Sequence, residues 1–169
     1  MERRTLTELA VLSILADEPA DLDAVRDRLT HVYGRHWPVS YGALEPAVSR
    51  LVEAGSLVRL DDGTYSLTES GRERLRDLAS EPVEDVADPS QQPHLLVKVG
   101  SLHHLPPERR DEELAGLEDR LLQARDHYQD VQEAHAEAID DPVGYRRDLG
   151  ALTARLLDEQ LEWVRGLRD

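Results

Sequence analysis

Over the first 80 residues the apolar side chains recur at helical spacing three times, then at strand spacing twice in quick succession, then at helical spacing again. A first helix is expected to open at a capping box, with Thr5 as N-cap and Glu8 three residues on. Its inward face is Leu6, Leu9, Ala10, Leu12, Ile14 and Leu15, and Pro19 lies beyond its end. Asp21 caps a second helix with apolar positions Leu22, Val25, Leu29, Val32 and Tyr33, and Gly34 stops it. Trp37-Pro38-Val39 reads as extended, because a residue before proline disfavours the helical region. Ser40 is the N-cap of a third helix, Tyr41 to about Ala54, which turns Leu44, Ala47, Val48 and Leu51 inward and ends at Gly55. Pro46 falls inside it, but the carbonyl its ring would displace belongs to the first turn, so a local bend is expected and not a break. Two β-rich runs, Leu57–Leu60 and Thr64–Leu67, flank the hairpin signal Asp61-Asp62-Gly63. Thr68 then caps a fourth helix carrying Leu75, Leu78 and Ala79. Three helices, a hairpin and a fourth helix, in that order, make a winged helix-turn-helix.

The remainder is helical in a different way. Residues 81–93 are polar with three prolines and read as a linker between a domain of residues 1–80 and a region of residues 94–169. Leu95-Leu96-Val97-Lys98-Val99 is short enough to be strand or helix. Pro106-Pro107-Glu108 opens a long helix in which Leu114, Leu117, Leu121, Ala124, Tyr128, Val131, His135 and Ala138 alternate steps of three and four, a heptad seam. Asp141-Pro142 restarts the chain as N-cap and first helical residue. A last helix carries Tyr145, Leu149, Leu152, Leu156, Trp163 and Leu167, with Leu157, Leu161 and Val164 widening the stripe. Two such stripes exceed what one chain's helices need, so a homodimer is expected, held by Leu114, Leu117, Leu121, Tyr128, Val131, Leu149, Leu152, Leu156 and Trp163. The fold class is thus mainly α, a winged helix-turn-helix with a small β-hairpin wing followed by a long-helix dimerisation region.

Charge is the oddest property of the chain. Thirty-five acidic residues face twenty basic ones, a net charge of −15, and Lys98 is the only lysine. A high-GC genome would also favour Arg over Lys, but acid excess, scarce lysine and few large aromatics together resemble proteins of salt-accumulating, halophilic archaea, in which a dense carboxylate surface keeps the protein hydrated. Cysteine is absent, which excludes disulfides and thiolate chemistry. No apolar run reaches the roughly 18 residues of a membrane span, and no signal-peptide block follows Met1. A cytoplasmic protein without membrane partners is expected. Acidity argues against a DNA partner at ordinary salt, but at 1 M the Debye length is roughly 3 Å and only groups at contact range matter.

Several segments resemble the PadR-like transcriptional regulators: Leu9-Ala10-Val11-Leu12-Ser13-Ile14-Leu15, Trp37-Pro38-Val39-Ser40-Tyr41-Gly42-Ala43-Leu44-Glu45-Pro46-Ala47-Val48-Ser49-Arg50-Leu51, Gly55-Ser56-Leu57-Val58, and Tyr65-Ser66-Leu67-Thr68-Glu69-Ser70-Gly71-Arg72. They run in the family's order across residues 6–80. The C-terminal half resembles the family's variable helical dimerisation region, and the placement of the Leu95–Val99 run implies helix there. Glu45 stands where the family usually has tyrosine, Asp21-Leu22 where its second helix usually opens Gly-Tyr, and the wing tip is acidic where Arg or Lys is common.

The resemblance implies double-stranded DNA as partner and the third helix as the reading element. Ser40 and the first-turn amides suit a phosphate oxygen, and Tyr41 offers a phenol. Gly42 and Ala43 permit close approach to the groove, with Ser49 and Arg50 outward. Arg50 is the expected base or phosphate reader, since its planar fork suits both. Arg35 and His36 are placed for backbone phosphate, and Arg59 and Thr64 flank the wing turn. Trp37 is expected to plug the core.

No cofactor and no enzymatic chemistry are expected: there is no Gly-rich phosphate loop, nucleophile elbow or acid pair. A metal site is not expected either. His103 and His104 are adjacent and should diverge on a helix or strand, and His127 and His135 are eight apart without a carboxylate to complete a set. A homodimeric regulator is the leading function. Alternatives are a winged-helix protein-interaction adaptor that has lost DNA reading, and a sensor with a small-molecule effector at the dimer interface.

Overall fold

The computed structural model describes residues 3–34, 41–135 and 144–168. Among them are α1 (Arg3–Asp17), α2 (Leu22–Tyr33), α3 (Tyr41–Glu53), strands β1 (Leu57–Arg59) and β2 (Tyr65–Leu67), α4 (Glu69–Ser80), α5 (Gln92–Ser101), α6 (Pro107–His135) and α7 (Tyr145–Gly166). The architecture is mainly helical with one two-stranded antiparallel sheet, and residues up to Ser80 form a winged helix-turn-helix. No helix among the described residues is long and apolar enough to cross a membrane.

The first compact unit comprises Met1–Glu84 and Gln92–Pro107. Its centre is α1, on which α2, α3, α4, α5 and β2 all pack. Every residue from Thr7 to Leu15 is buried, so the helix has no solvent face over its middle. Val11 and Ser13, which lie off the expected apolar stripe, are as covered as the rest. The expected capping box at its start is not formed. The helix already begins at Arg3, and Glu8 is turned inward with 4% of its surface exposed, where arginines meet it. Asp21 does cap α2, accepting from the Ala24 amide at 2.8 Å, and Gly34 ends it at a φ of 84° that other residues avoid. Pro46 sits within α3 without interrupting it.

The wing is shorter than the sequence runs suggest, with register Leu57↔Leu67, Val58↔Ser66 and Arg59↔Tyr65. On its other edge Tyr65 pairs with Ala20, by bonds of 2.8 and 3.2 Å, so the turn after α1 extends the sheet. The base of the wing is locked to α4 by two residues. The Thr68 hydroxyl accepts from the Gly71 amide at 3.0 Å, capping α4, and lies 2.6 Å from the Gly55 carbonyl. Gly71 lies so close to Ser56 that a β-carbon there would overlap its carbonyl oxygen.

The boundary between residues 80 and 94 expected from the sequence is not where the structure divides. Helix α5 packs on α1 and α4 and belongs to the first unit. The physical reason lies in Lys98, which is 1% exposed and donates from Nζ to the carbonyls of Ala79 (2.6 Å) and Glu81 (2.9 Å). A buried ammonium there meets the last carbonyls of α4 at the negative end of that helix. The connection between α4 and α5 is not a loose linker. Val83 and Val86 are buried, and Asp85 and Asp88 each accept from amides two residues ahead, building tight turns into the 3₁₀ turn Pro89–Gln91.

The second unit comprises Asp85–Gln91 and Glu108–Asp169. Its two long helices run antiparallel: Glu118, early in α6, binds Arg165 and Arg168 at the far end of α7, and Arg125 approaches Asp158 one step inward. Leu114, Leu117 and Leu121 of α6 and Leu157, Leu161 and Val164 of α7 are buried within the single chain. The α7 residues read as merely widening the stripe are therefore its inward face. Leu152 and Leu156 (55% exposed), Trp163 (39%) and Val131 stay exposed, and Tyr128 is half-buried. Asp141, Pro142 and Ala138 lie outside the described residues, as do the side chains of His135, Tyr145 and Leu149.

Candidate nucleic-acid interface

Helix α3 is held on the protein by Leu44, Ala47, Val48 and Leu51, all buried, as its spacing requires. The opposite face carries Gly42, Glu45, Pro46, Ser49 and Glu53, all exposed, with Ala43 half-buried beside them. This face is small and low in relief, which admits close approach of a flat partner, but its only charges are two carboxylates. The α3 backbone starts at Tyr41; the Tyr41 side chain, Arg35, His36, Trp37 and Ser40 lie outside what the structure describes.

Arg50 does not stand on the outward face with Ser49. It sits on the flank of α3, its Nε 3.3 Å from Oε1 of Glu8, while Arg74 of α4 reaches Oε2 of the same carboxylate at 2.5 Å and Arg4 lies 3.5 Å away. One buried carboxylate thus ties α1, α3 and α4 together. Burial pushes the Glu8 carboxyl up, but hydrogen bonds and charge from Arg74 and then Arg50 outweigh it and hold the group below its usual range. The sequence pattern gave Arg50 an outward position by helical phase alone; a buried acid eight residues into the chain draws it sideways.

The wing tip is similarly self-satisfied. Oδ1 of Asp62 accepts from both the Thr64 amide (3.0 Å) and the Thr64 hydroxyl (2.7 Å), which occupies the polar group that was to face DNA. Arg59 is exposed, with a guanidinium nitrogen 3.9 Å from where a Gly63 β-carbon would be. Arg72, at the start of α4, is exposed too and donates to the Leu67 carbonyl at 3.4 Å. It was not singled out from the sequence, where it follows Gly71 as one more arginine; its closeness to β2 appears only once the hairpin folds back on α4. The outward face of α3 therefore carries short side chains and two carboxylates with Arg50 on its flank, while Arg59 and Arg72 are exposed on the wing and at its base.

On another side of the same unit, the expectation that His103 and His104 diverge is overturned. They end a single 3₁₀ turn, Leu102–His104, where the rings are turned toward each other and toward the end of α1. Their ring centroids are 3.7 Å apart, and a ring nitrogen of each lies within 4.8 Å of a carboxylate oxygen of Asp17, at the end of α1. Nearby, the Tyr33 phenol hydrogen-bonds with Ser13 and Ser101, and burial pushes its pKa up.

No family model and no curated protein sequence matches the chain. Among solved structures, it is similar to PadR of Bacillus subtilis, with 15% identity, 99% of this chain and 96% of that chain covered, and a TM-score of 0.46. The same protein in complex with p-coumaric acid aligns at 16% identity over 96% of each chain, with a TM-score of 0.45. The virulence activator AphA of Vibrio cholerae aligns at 19% identity over 96% of this chain and 95% of that one, with a TM-score of 0.43. The fold assignment above stands on element order, register and packing in this chain.

Proposed function

We propose that the chain is a sequence-specific DNA-binding transcriptional regulator of the PadR-like kind, a homodimer that sets two copies of α3 into successive major grooves of an inverted-repeat operator. The observation that carries this reading is the outward face of α3, where Gly42, Ala43 and Ser49 keep the side chains short beside Arg50 on the flank of the helix. The major groove admits an α-helix, and short side chains on its leading face let the backbone approach the base edges closely. Its positive amino-terminal end supports the same orientation. Half-sites would then be about one helical turn apart. The surface carboxylates oppose binding through a field that molar salt confines to roughly 3 Å, so binding is expected in salt that would dissociate an ordinary regulator.

A specific observation favours a second reading, an adaptor that binds protein. Glu45 and Glu53 share the exposed face of α3, and Asp62 holds the Thr64 hydroxyl. Footprinting on genomic fragments in molar KCl separates the two, with Ser49→Glu as the variant because Ser49 is exposed and its replacement leaves the core intact. Protection of an inverted repeat by the wild type, lost at least tenfold in the variant, supports DNA reading through α3. Absence of any protected site leaves the adaptor.

A further inference from the structure

We propose that Asp17, His103 and His104 form a binding site for a divalent first-row transition cation of the zinc type. Each imidazole has one nitrogen directed at a backbone carbonyl: His103 Nδ1 lies 2.8 Å from the Gly100 oxygen, and His104 Nε2 lies 3.1 Å from the Ser13 oxygen. A carbonyl can only accept, so those two nitrogens carry the hydrogens. In a neutral His103 the remaining nitrogen, Nε2, is then a bare lone pair, and it faces Oδ1 of Asp17 at 3.3 Å. A lone pair set against a carboxylate oxygen is repulsive unless positive charge lies between them. Either a proton or a metal ion supplies it.

The geometry suits the metal. Two ligand atoms at zinc bond lengths and the tetrahedral angle lie about 3.3–3.4 Å apart, and the Nε2–Oδ1 separation is 3.3 Å. One ligand atom from each of the three residues falls within a 4.8 Å cluster, and with Nε2 of His104 on the Ser13 carbonyl the nitrogen left for a cation on that ring is Nδ1. Carbonyls that fix the tautomer and tilt of ligating imidazoles are the usual outer support of such sites. Two imidazoles and one carboxylate make a nitrogen-rich set suited to zinc, nickel or cobalt more than to calcium or magnesium. Asp17 and His103 have more than half of their side-chain surface exposed while His104 has 13%, so water has access to complete the coordination. The competing proton would leave an exposed His–Asp ion pair, which contributes little to stability. Bound cation would instead join the end of α1 to the 3₁₀ turn that follows α5. The site is independent of DNA reading by α3.

The full-length protein, stripped with chelator and titrated with Co²⁺ at neutral pH in molar KCl, tests this. One equivalent per chain should give a visible ligand-field band that Zn²⁺ bleaches. Asp17→Asn and His103→Ala should each weaken uptake at least tenfold, with far-UV circular dichroism unchanged, whereas His127→Ala on α6 should leave it intact. Hydrogen exchange with Zn²⁺ should slow within residues 13–17 and 100–105. No band at tenfold excess, uptake undiminished by either ligand substitution, or protection elsewhere would each overturn the site and leave the proton as the bridging charge.

Discussion

Glu8 shows how much one side chain can decide in this chain. Its carboxylate is buried and held by Arg74 and Arg50, so deleting the charge strands two guanidinium groups and loosens α1, α3 and α4 together. The arginines reach solvent, so Glu8→Gln should cost about 1–3 kcal/mol at pH 7, less than the loss of a fully enclosed pair. The folded carboxyl titrates below its unfolded counterpart. Its stabilisation is therefore complete above the usual carboxylate range and disappears as pH falls through the folded value. Urea midpoints of wild type and variant should converge as pH falls below the usual carboxylate range; a constant gap would contradict the assignment. His94 acts in a higher window. It is buried with no hydrogen-bond partner for either ring nitrogen among the described residues, and burial, helped by the Lys98 charge, pushes its pKa from 6.5 down to about 4. The unfolded chain takes up the proton first, so stability should fall as pH drops from 6.5 toward 4. His94→Leu should remove about 1–2 kcal/mol of that fall between pH 7 and pH 5, read from the same urea titrations. Gly71→Ala, by contrast, sets a methyl group against the Ser56 backbone. Thermal melts should show a loss at or above the upper end of the roughly 1–3 kcal/mol range for overpacking.

At the scale of elements, the contrast lies within α7. Leu157, Leu161 and Val164 are buried, whereas Leu152, Leu156 and Trp163 remain exposed one step around the helix. An apolar stripe left uncovered on a helix already packed on its other side suits a second copy of the chain. Leu156→Asp and Trp163→Glu should each raise the dimer dissociation constant at least tenfold, about 1.4 kcal/mol, with helix content retained. Leu121→Asp should instead abolish the cooperative melt, because Leu121 is wholly buried inside one chain. Sedimentation velocity and circular dichroism on the three variants distinguish the two roles. If Leu156→Asp and Trp163→Glu sediment as the wild type does, the face serves another purpose. The heptad seam read from the sequence thus divides: its first three leucines are intrachain core, and the dimer surface proposed here narrows to Val131 and the outer face of α7.

For the whole molecule the governing quantity is the net charge of −15. The lone lysine is buried against two carbonyls, so the surface cations are all arginines, and many are already paired: Arg28 with Glu18, Arg109 with Glu112, Arg165 with Glu118. The carboxylates in excess repel one another over a Debye length of about 10 Å at 0.1 M salt and roughly 3 Å at 1 M. Raising KCl between those limits should stabilise the fold by about 2 kcal/mol, or roughly 4–8 °C in melting temperature. A melting temperature independent of KCl would count against an acidic surface adapted to salt.

Local signals with a fixed period or a fixed offset were legible in the amino-acid order: the five winged-helix elements, the Asp21 and Thr68 caps, the stops at Gly34 and Gly55, and the inward face of α3. Each depends on neighbours within about four residues, so chain order alone determined it. What escaped that reading depended on residues far apart in sequence. Glu8 looks like a cap partner until Arg74, 66 residues away, arrives beside it. Arg50 looks outward-facing until that same carboxylate draws it aside. Lys98 is no more than one charge in a short apolar run until the fold buries it, where it joins α5 to the end of α4 and moves the division of the chain past residue 94. His103 and His104 look divergent until Asp17, 86 residues from His103, meets both rings at the end of α1. Periodicity specifies which face of an element is buried, whereas the partners of a buried charge are chosen only when separate elements meet, because a desolvated charge takes whichever opposite charge or carbonyl the packing brings within reach.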